Sequence, residues 1–264
     1  MIDESLNDFY KEIAAAACRD LAKQKMLLPV DSLKELCAAH CRTHRAVASA
    51  LLSSTQERSQ RKPEHFLAVL QKAYPGEGVV NSDFKPLEAA QSLKNLTAVI
   101  GVNTEKHFFE GAASFLTGVT HLVKSPVVRW DFIIDEYQLG QSRLWGADAV
   151  RIAAALLDQA ELLKICQSAK QLELEVIAEI ADQTGLERVL SLKDLVSAVY
   201  IKNDLLADNE IQALLQQIPL HTPALININS WRQSNDKTFC CDALVLDHSS
   251  CATAEGVEKL RKSL

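Results

Sequence analysis

The chain has 264 residues, of which 34 are acidic and 28 basic, giving a formal net charge of −6; hydrophobic residues make up 48% and charged residues 23%. That balance excludes a disordered chain and lacks the basic excess of a nucleic-acid binder. Apolar runs are too short to span a bilayer, the acidic opening Met1-Ile2-Asp3-Glu4 reads as no secretory leader, and seven irregularly spaced cysteines read as reduced thiols, so a cytoplasmic protein with no membrane partner is expected.

In chain order, residues 1–63 read as a helical extension. Leu21, Leu27 and Leu28, then Leu33, Leu36 and Cys37, recur near helical spacing, with Pro29-Val-Asp-Ser32 as a break and cap. A further helical pattern runs from Val47 to Leu52. The polar stretch Ser53 to Pro63 (SSTQERSQRKP) reads as a surface connection. From residue 64 short apolar runs alternate with amphipathic segments. Eight candidate strands follow: Phe66–Leu70, Ala98–Val102, Val127–Trp130, Ala149–Ala153, Glu175–Ile180, Ala198–Ile201, Ala224–Ile228 and Ala243–Leu246. Helical stretches between them include Asp135–Trp145, Leu156–Lys170, Thr184–Leu190 and Ala207–Gln217. Buried strands alternating with helices imply a parallel sheet, and eight units in about 200 residues imply an α/β chain closed as a (β/α)8 TIM barrel. The expected organisation is one structural domain, with the extension (1–63) packed on the barrel (64–264). Chemistry in such a barrel belongs at the C-terminal strand ends.

The stretch Ser125-Pro-Val-Val-Arg-Trp-Asp-Phe-Ile-Ile-Asp-Glu-Tyr-Gln-Leu139, followed by Arg143-Leu-Trp-Gly-Ala-Asp-Ala-Val150, resembles the indole-3-glycerol phosphate synthase family, which reads roughly PVLRKDFIIDPYQ and then ARxxGADAVLLI. The N-terminal helix (Asp20 to Leu33), the segment Thr104 to Gly111 and the strand Leu174 to Ile180 are similar to the same family. The resemblance covers nearly the whole chain. It implies a tryptophan-biosynthesis lyase that closes an indole ring with loss of CO2 and water. Such an enzyme uses a lysine general acid, further lysine and glutamate residues, an asparagine and a phosphate cradle of small residues.

Carried over position by position, most of those groups are replaced. Against the family's EIKRASPSKG stands Val69-Leu-Gln-Lys-Ala-Tyr-Pro-Gly-Glu-Gly78, so Val69 takes the place of the glutamate, Gln71 of the lysine and Tyr74 of a phosphate-binding serine. In the KDF motif Trp130 replaces the general-acid lysine; an indole N–H does not titrate in the accessible range. Arg151 occupies an apolar substrate-facing position, Glu179 matches the catalytic glutamate, and Lys202 stands for the asparagine. The seventh strand ends Asn227-Ile-Asn-Ser-Trp231 where the family has ESGI, and the eighth ends Leu246-Asp-His-Ser249 where it has IGSS. Asp247 therefore puts a carboxylate where glycine would let backbone N–H groups approach a phosphate. Two unit charges about 4 Å apart repel by roughly 4 kcal/mol at an effective dielectric near 20, about a thousandfold in affinity.

Glu179 and Lys202 are thus the candidate catalytic residues, and Arg151, Trp130, Asn103 and Tyr74 the candidate substrate-binding residues. Arg151, Glu179 and Lys202 read either as a rebuilt site, with Lys202 a base or Schiff-base amine, or as an ion cluster that fills vacated space. Trp130 and Tyr74 read as filler or as a stacking platform; Asn103 reads as a turn cap or a mouth residue, and Asp131 as scaffold. Cys37-Ala-Ala-His40-Cys41, and Cys240-Cys241 with Asp242, His248 and Cys251, are weak metal patterns, so no metal or cofactor is expected. Asp247-His248-Ser249 imitates part of a hydrolase triad, but adjacent strand residues alternate faces. The first expectation is a family member that has lost ring closure and serves as a binding or regulatory protein, with a small molecule at the mouth or a protein partner. The second is altered chemistry on a non-phosphorylated aromatic or carboxylated substrate, and the third is conventional synthase activity.

Overall fold

A computed structural model describes residues 4–39, 43–55, 57–202, 206–228, 239–247 and 253–263. Eight parallel strands form the closed barrel: β1 (His65–Leu70), β2 (Val99–Val102), β3 (Val127–Arg129), β4 (Ala149–Ala153), β5 (Glu175–Ile180), β6 (Ala198–Ile201), β7 (Ala224–Asn227) and β8 (Ala243–Leu246). They follow the chain in order around the barrel, and β1 pairs with both β2 and β8 to close it. All eight expected strands form, with ends shifted by a residue where, for example, Trp130 continues the ladder just beyond β3 by donating its N–H to Val102 O.

The strands look continuously apolar because both of their faces are buried, yet the two faces pack differently. Phe66, Ala68 and Leu70 of β1 face the helices. Leu67 and Val69 face the barrel axis with Val99, Val128, Ala149, Ile177, Ala198, Leu225, Ala243 and Val245. Side-chain alternation makes the next inward residue at several strand ends polar or aromatic: Trp130, Arg151, Glu179, Tyr200, Asn227 and Asp247. Gly101 faces inward beneath them. A Cβ there would stand 3.2 Å from Val69 Cγ2 and 3.5 Å from Trp130 Cε3, so glycine leaves the width that the indole occupies.

Helices wrap the outside: α4 (Pro86–Leu93), α5 (Ala113–Leu122), α6 (Glu136–Leu144), α7 (Gln159–Gln171), α8 (Gln183–Leu190), α9 (Asp208–Gln217) and α10 (Ala254–Ser263), after α1 (Glu4–Leu27), α2 (Val30–Ala39) and α3 (Val47–Leu51) of the extension. The sequence IIDEYQ explains the start of α6. Asp135 accepts from Tyr137 N at 2.8 Å, and Gln138 Oε1 turns back to accept from Ile134 N and Asp135 N, a capping box. The expected helix from Leu156 begins later, because Ala154–Leu156 is a 3-10 turn and Asp158 caps α7.

The extension grips both ends of the barrel. At the N-terminal end, Val47 and Leu51 of α3 are fully buried against the axial core. Glu175 accepts from Val47 N and Ala48 N, which satisfies first-turn donors of α3, and Asp148 holds Arg45. Between Ser53 and Pro63 the polarity reads correctly as surface at Ser54, Glu57, Ser59, Gln60 and Lys62, which are exposed, but not at the two arginines. Arg58 and Arg61 are 6% and 4% exposed, and both donate to the buried Asp242, at 3.0 and 2.6 Å. The charges go inside because a counter-charge more than 180 residues away, fixed just before β8, meets them there. At the other end, α1 lies across the barrel mouth.

Candidate functional site at the barrel mouth

Two linked clusters occupy the mouth. In the first, the Arg151 guanidinium of β4 donates from Nη1 to Glu179 Oε2 of β5 at 3.0 Å, and from Nε and Nη2 to Asp131 O at 3.3 Å. Its faces lie 4.3 Å from the Phe132 ring and 5.2 Å from the Trp130 ring. Tyr10 of α1 donates its hydroxyl to Glu179 Oε1 at 2.7 Å. The pair is 2% and 3% exposed, so a residue of the extension and two strand ends bury one charge pair together.

The second cluster is built on Asp247, just past β8. Its carboxylate accepts from Asn227 Nδ2 at 2.7 Å and from Tyr200 Oη at 3.3 Å, and Gln71 donates to its main-chain oxygen. Lys202 Nζ lies 3.7 Å from Asp247 Oδ2 and 5.9 Å from the Tyr74 ring centre. Tyr200 links the clusters, since its ring lies 5.5 Å from that of Trp130. The formal charges of Arg151, Lys202, Glu179 and Asp247 sum to zero.

Protonation states follow from this pairing. Burial alone would raise the Glu179 carboxyl, but Arg151, Lys202 and the hydrogen bonds from Tyr10 and Arg151 outweigh it and hold it below its ordinary value. Burial would likewise lower Lys202, but Asp247, Tyr74 and Glu179 hold it above the usual ammonium range. Lys202 is therefore a fixed cation, which disfavours it as the neutral amine that a base or Schiff-base role requires. Burial beside Glu179 raises the Tyr10 hydroxyl, so it stays a donor. Because Glu179 titrates lower in the folded chain than in the unfolded one, its contribution is complete above the ordinary glutamate value of about 4.3 and disappears as pH falls through the folded value. Thermal melts between pH 7 and 3 are expected to show stability lost below about pH 4.5, and Glu179→Gln is expected to lose less over that interval.

The six candidate site residues come to one end of the barrel, in different settings. Trp130, Arg151 and Glu179 form the buried heart of the mouth, while Lys202 and Tyr74 keep some solvent access. Tyr74 sits in a short two-strand ribbon (Ala73–Tyr74 with Gly78–Val79) and meets Phe109 edge-on. Asn103 caps a turn, its Oδ1 accepting from Glu105 N at 2.9 Å. Asp131 accepts from Arg129, Thr104 and Glu105, which is the scaffold role expected of it. The metal patterns are not assembled among the described residues: Cys37 donates to Gly140 O, Cys240 to Ser59 O, and Asp242 is engaged by arginines. His40, Cys41, His248, Ser249, Cys251 and Trp231 lie outside the described residues. Sequence reasoning missed Tyr10; the buried stripe Tyr10, Ile13 and Ala16, at three-residue steps, carries the signal. Outside the mouth, a groove of about 1120 Å³ runs between α2, α6 and α7.

A closed (β/α)8 barrel with polar side chains gathered at the C-terminal strand ends is the TIM-barrel class, whose enzymes build their active sites at that face. The comparisons narrow that class. Residues 10–213 match the family model described as indole-3-glycerol phosphate synthase, a stretch that ends before β7 and β8. The chain is 32% identical to the indole-3-glycerol phosphate synthase of Neisseria gonorrhoeae over 199 residues, 75% of either chain. It is 33% identical to that of Campylobacter jejuni over 204 residues, 76% of this chain and 77% of the relative. The chain belongs to the indole-3-glycerol phosphate synthase family. Among solved structures it superposes on a phosphonopyruvate hydrolase complex with a TM-score of 0.55 at 13% identity, covering 82% of this chain and 83% of that one. It also superposes on the N-acetylmannosamine-6-phosphate 2-epimerase of Clostridium perfringens, with a TM-score of 0.54 at 10% identity over 85% and 98%. These two likenesses reflect the barrel alone. No helix among the described residues is long and apolar enough to cross a membrane.

Proposed function

We propose that this chain is a member of its family that has lost the ring closure and works as a binding or regulatory protein linked to tryptophan metabolism. The observation that supports this reading is the mutual satisfaction of the mouth residues. Ring closure needs an ammonium to protonate the substrate ketone and backbone donors to hold its phosphate. The inherited ammonium position is Trp130, 2% exposed and packed against Arg151 and Tyr200. The inherited glycine position is Asp247, whose carboxylate is committed to Asn227 and Tyr200 and faces Lys202. An incoming phosphate would have to take Lys202 from Asp247 while standing beside that carboxylate. Such a protein acts through what it binds, a small molecule at the mouth or a protein partner on its outer surface.

The test is direct. Full-length protein mixed with carboxyphenylamino-deoxyribulose phosphate is expected to yield no indole-glycerol phosphate above the protein-free background, followed by fluorescence. Turnover in the ordinary enzyme range, about 1 to 10³ per second, would overturn the proposal and make this a conventional lyase of tryptophan biosynthesis. A second reading draws on the partial exposure of Lys202 beside Tyr74: an enzyme of altered chemistry on a non-phosphorylated aromatic carboxylate, using Glu179, Lys202 and Arg151. There Lys202 would anchor the anion. That reading expects saturable, Lys202-dependent binding of a simple aromatic carboxylate such as benzoate.

A further inference from the structure

The corner where α1 turns into α2 is apolar and projects from the fold. Its five residues, Met26-Leu-Leu-Pro-Val30, carry no charge. Met26 and Leu27 are 83% and 87% exposed, more than any other large hydrophobic residue among those described, and Val30 is 40% exposed. Leu28 turns inward beside Leu21, Leu33 and Tyr137, and its carbonyl accepts from the Tyr137 hydroxyl at 2.8 Å. The corner is thus held from beneath while Met26 and Leu27 point away from the protein. Close packing continues along α2. A Cβ at Gly140 of α6 would stand 2.9 Å from Leu33 Cδ2, and Cys37 Sγ donates to Gly140 O at 3.2 Å. Helix α2 therefore makes a firm wall for the groove of about 1120 Å³ whose far side is α7. Lys25 and Val30, at the two ends of the corner, both line that groove, so projection and recess adjoin on one face. Charges in the lining already face partners: Lys25 with Asp135, Lys34 with Asp31, Lys164 with Glu136 and Arg143 with Glu173. The remaining surface includes Val30, Leu33, Ala38 and Leu172.

We propose that this face is the interface of a symmetric homodimer, in which the Met26–Val30 corner of each copy seats in the groove of the other. Clustered exposed hydrophobic side chains mark sites of association, because covering them removes apolar surface from water. The charge pattern selects the occupant. A groove whose ions are already paired gains little from a charged partner and would desolvate that partner's charge, whereas the corner brings apolar side chains alone. Symmetry then selects a second copy. When a projection and a recess adjoin on one face, a two-fold axis between them carries each projection into the opposite recess. One docking geometry thereby makes two identical contacts and closes the assembly. A stable interface buries roughly 800 Å² on each side, and reciprocal seating engages corner and groove from both copies at once. Since Leu28 and Tyr137 already fix the corner, docking costs that segment little conformational freedom. The groove lies outside the mouth, so the dimer does not depend on whether the barrel turns over a substrate.

Sedimentation velocity of the full chain tests it, under reducing conditions and across the micromolar range. The native chain is expected to sediment as a dimer. Leu27→Asp puts a charge on the corner and Ala38→Arg puts one in the groove; both positions are exposed, so each variant is expected to melt as the native chain does. Loss of a central contact weakens an interface by about thirtyfold, and the two-fold axis repeats each contact. Each variant is therefore expected to raise the dimer Kd by about a thousandfold and to sediment as a monomer. A dimer that survives either substitution overturns the proposal, because corner and groove would not then meet. A native chain that stays monomeric overturns it as well, and would give the face to a different, apolar partner.

Discussion

Glu179→Leu is expected to destabilise the protein by about 3–5 kcal/mol, because it leaves the Arg151 guanidinium buried with no counter-charge. Arg151→Met is expected to cost a similar amount for the opposite reason. The informative measurement is the combination. With Arg151→Met, Glu179→Leu and Tyr10→Phe together, the first cluster holds no charge to desolvate, Lys202 and Asp247 keep each other, and the vacated space becomes an extension of the apolar cluster of Phe109, Phe132 and Ala153. Replacing a buried ion pair by packed apolar groups is often neutral or favourable by about 1–4 kcal/mol, so the triple variant is expected to recover most or all of the loss. Chemical denaturation of the single and combined variants reads this directly. Recovery fits an ion pair that fills a vacated cavity. Single variants that stay fully stable but lose ligand binding or turnover would instead mark Glu179 and Arg151 as a working site, against the proposed loss of catalysis.

The second large effect is expected at the opposite end of the barrel. Asp242 is fully buried, accepts from Arg58 and Arg61, and also receives Ser53 N at 3.0 Å and Ala224 N at 2.8 Å. One carboxylate thereby fastens the segment after α3 to β7 and β8. Asp242→Ala strands two buried guanidinium groups and two backbone donors. The expected cost is at least about 3–5 kcal/mol, or a fall in Tm of roughly 10 °C for a chain of this size. Calorimetry checks it, and a shift of only a degree or two would mean that water or a relaxed backbone replaces the carboxylate. No effect on the mouth is expected, since these contacts gather at the N-terminal strand ends.

These two sites also mark where sequence reasoning ran out. The charges of Arg58 and Arg61 lie in a run of polar residues, and local polarity reads as solvent exposure. Their burial depends on Asp242, and no local pattern reports a partner at that separation. The mouth shows the same limit from the other side. Arg151, Glu179 and Lys202 could be placed at strand ends by alternation and by family resemblance. Their pairing with one another, with Asp247 and with Tyr10 depends on which strands are neighbours and how far each side chain reaches. The resemblance implied replacements at Trp130 and Asp247, but not that Gln71, Tyr200 and Asn227 close around Asp247.

By itself the sequence determined the eight strands, the helices between them and the closed barrel, because periodicity and capping are local and strands buried on both faces advertise themselves as apolar runs. It determined the family as well, through motifs such as DFIIDEYQ and GADAV. Tertiary structure alone decided which charges are buried, which of them neutralise each other, and that the first helix reaches across the mouth to Glu179. A buried charge is tolerable only beside its partner, and partners are brought together by the closed fold rather than by neighbouring positions in the chain.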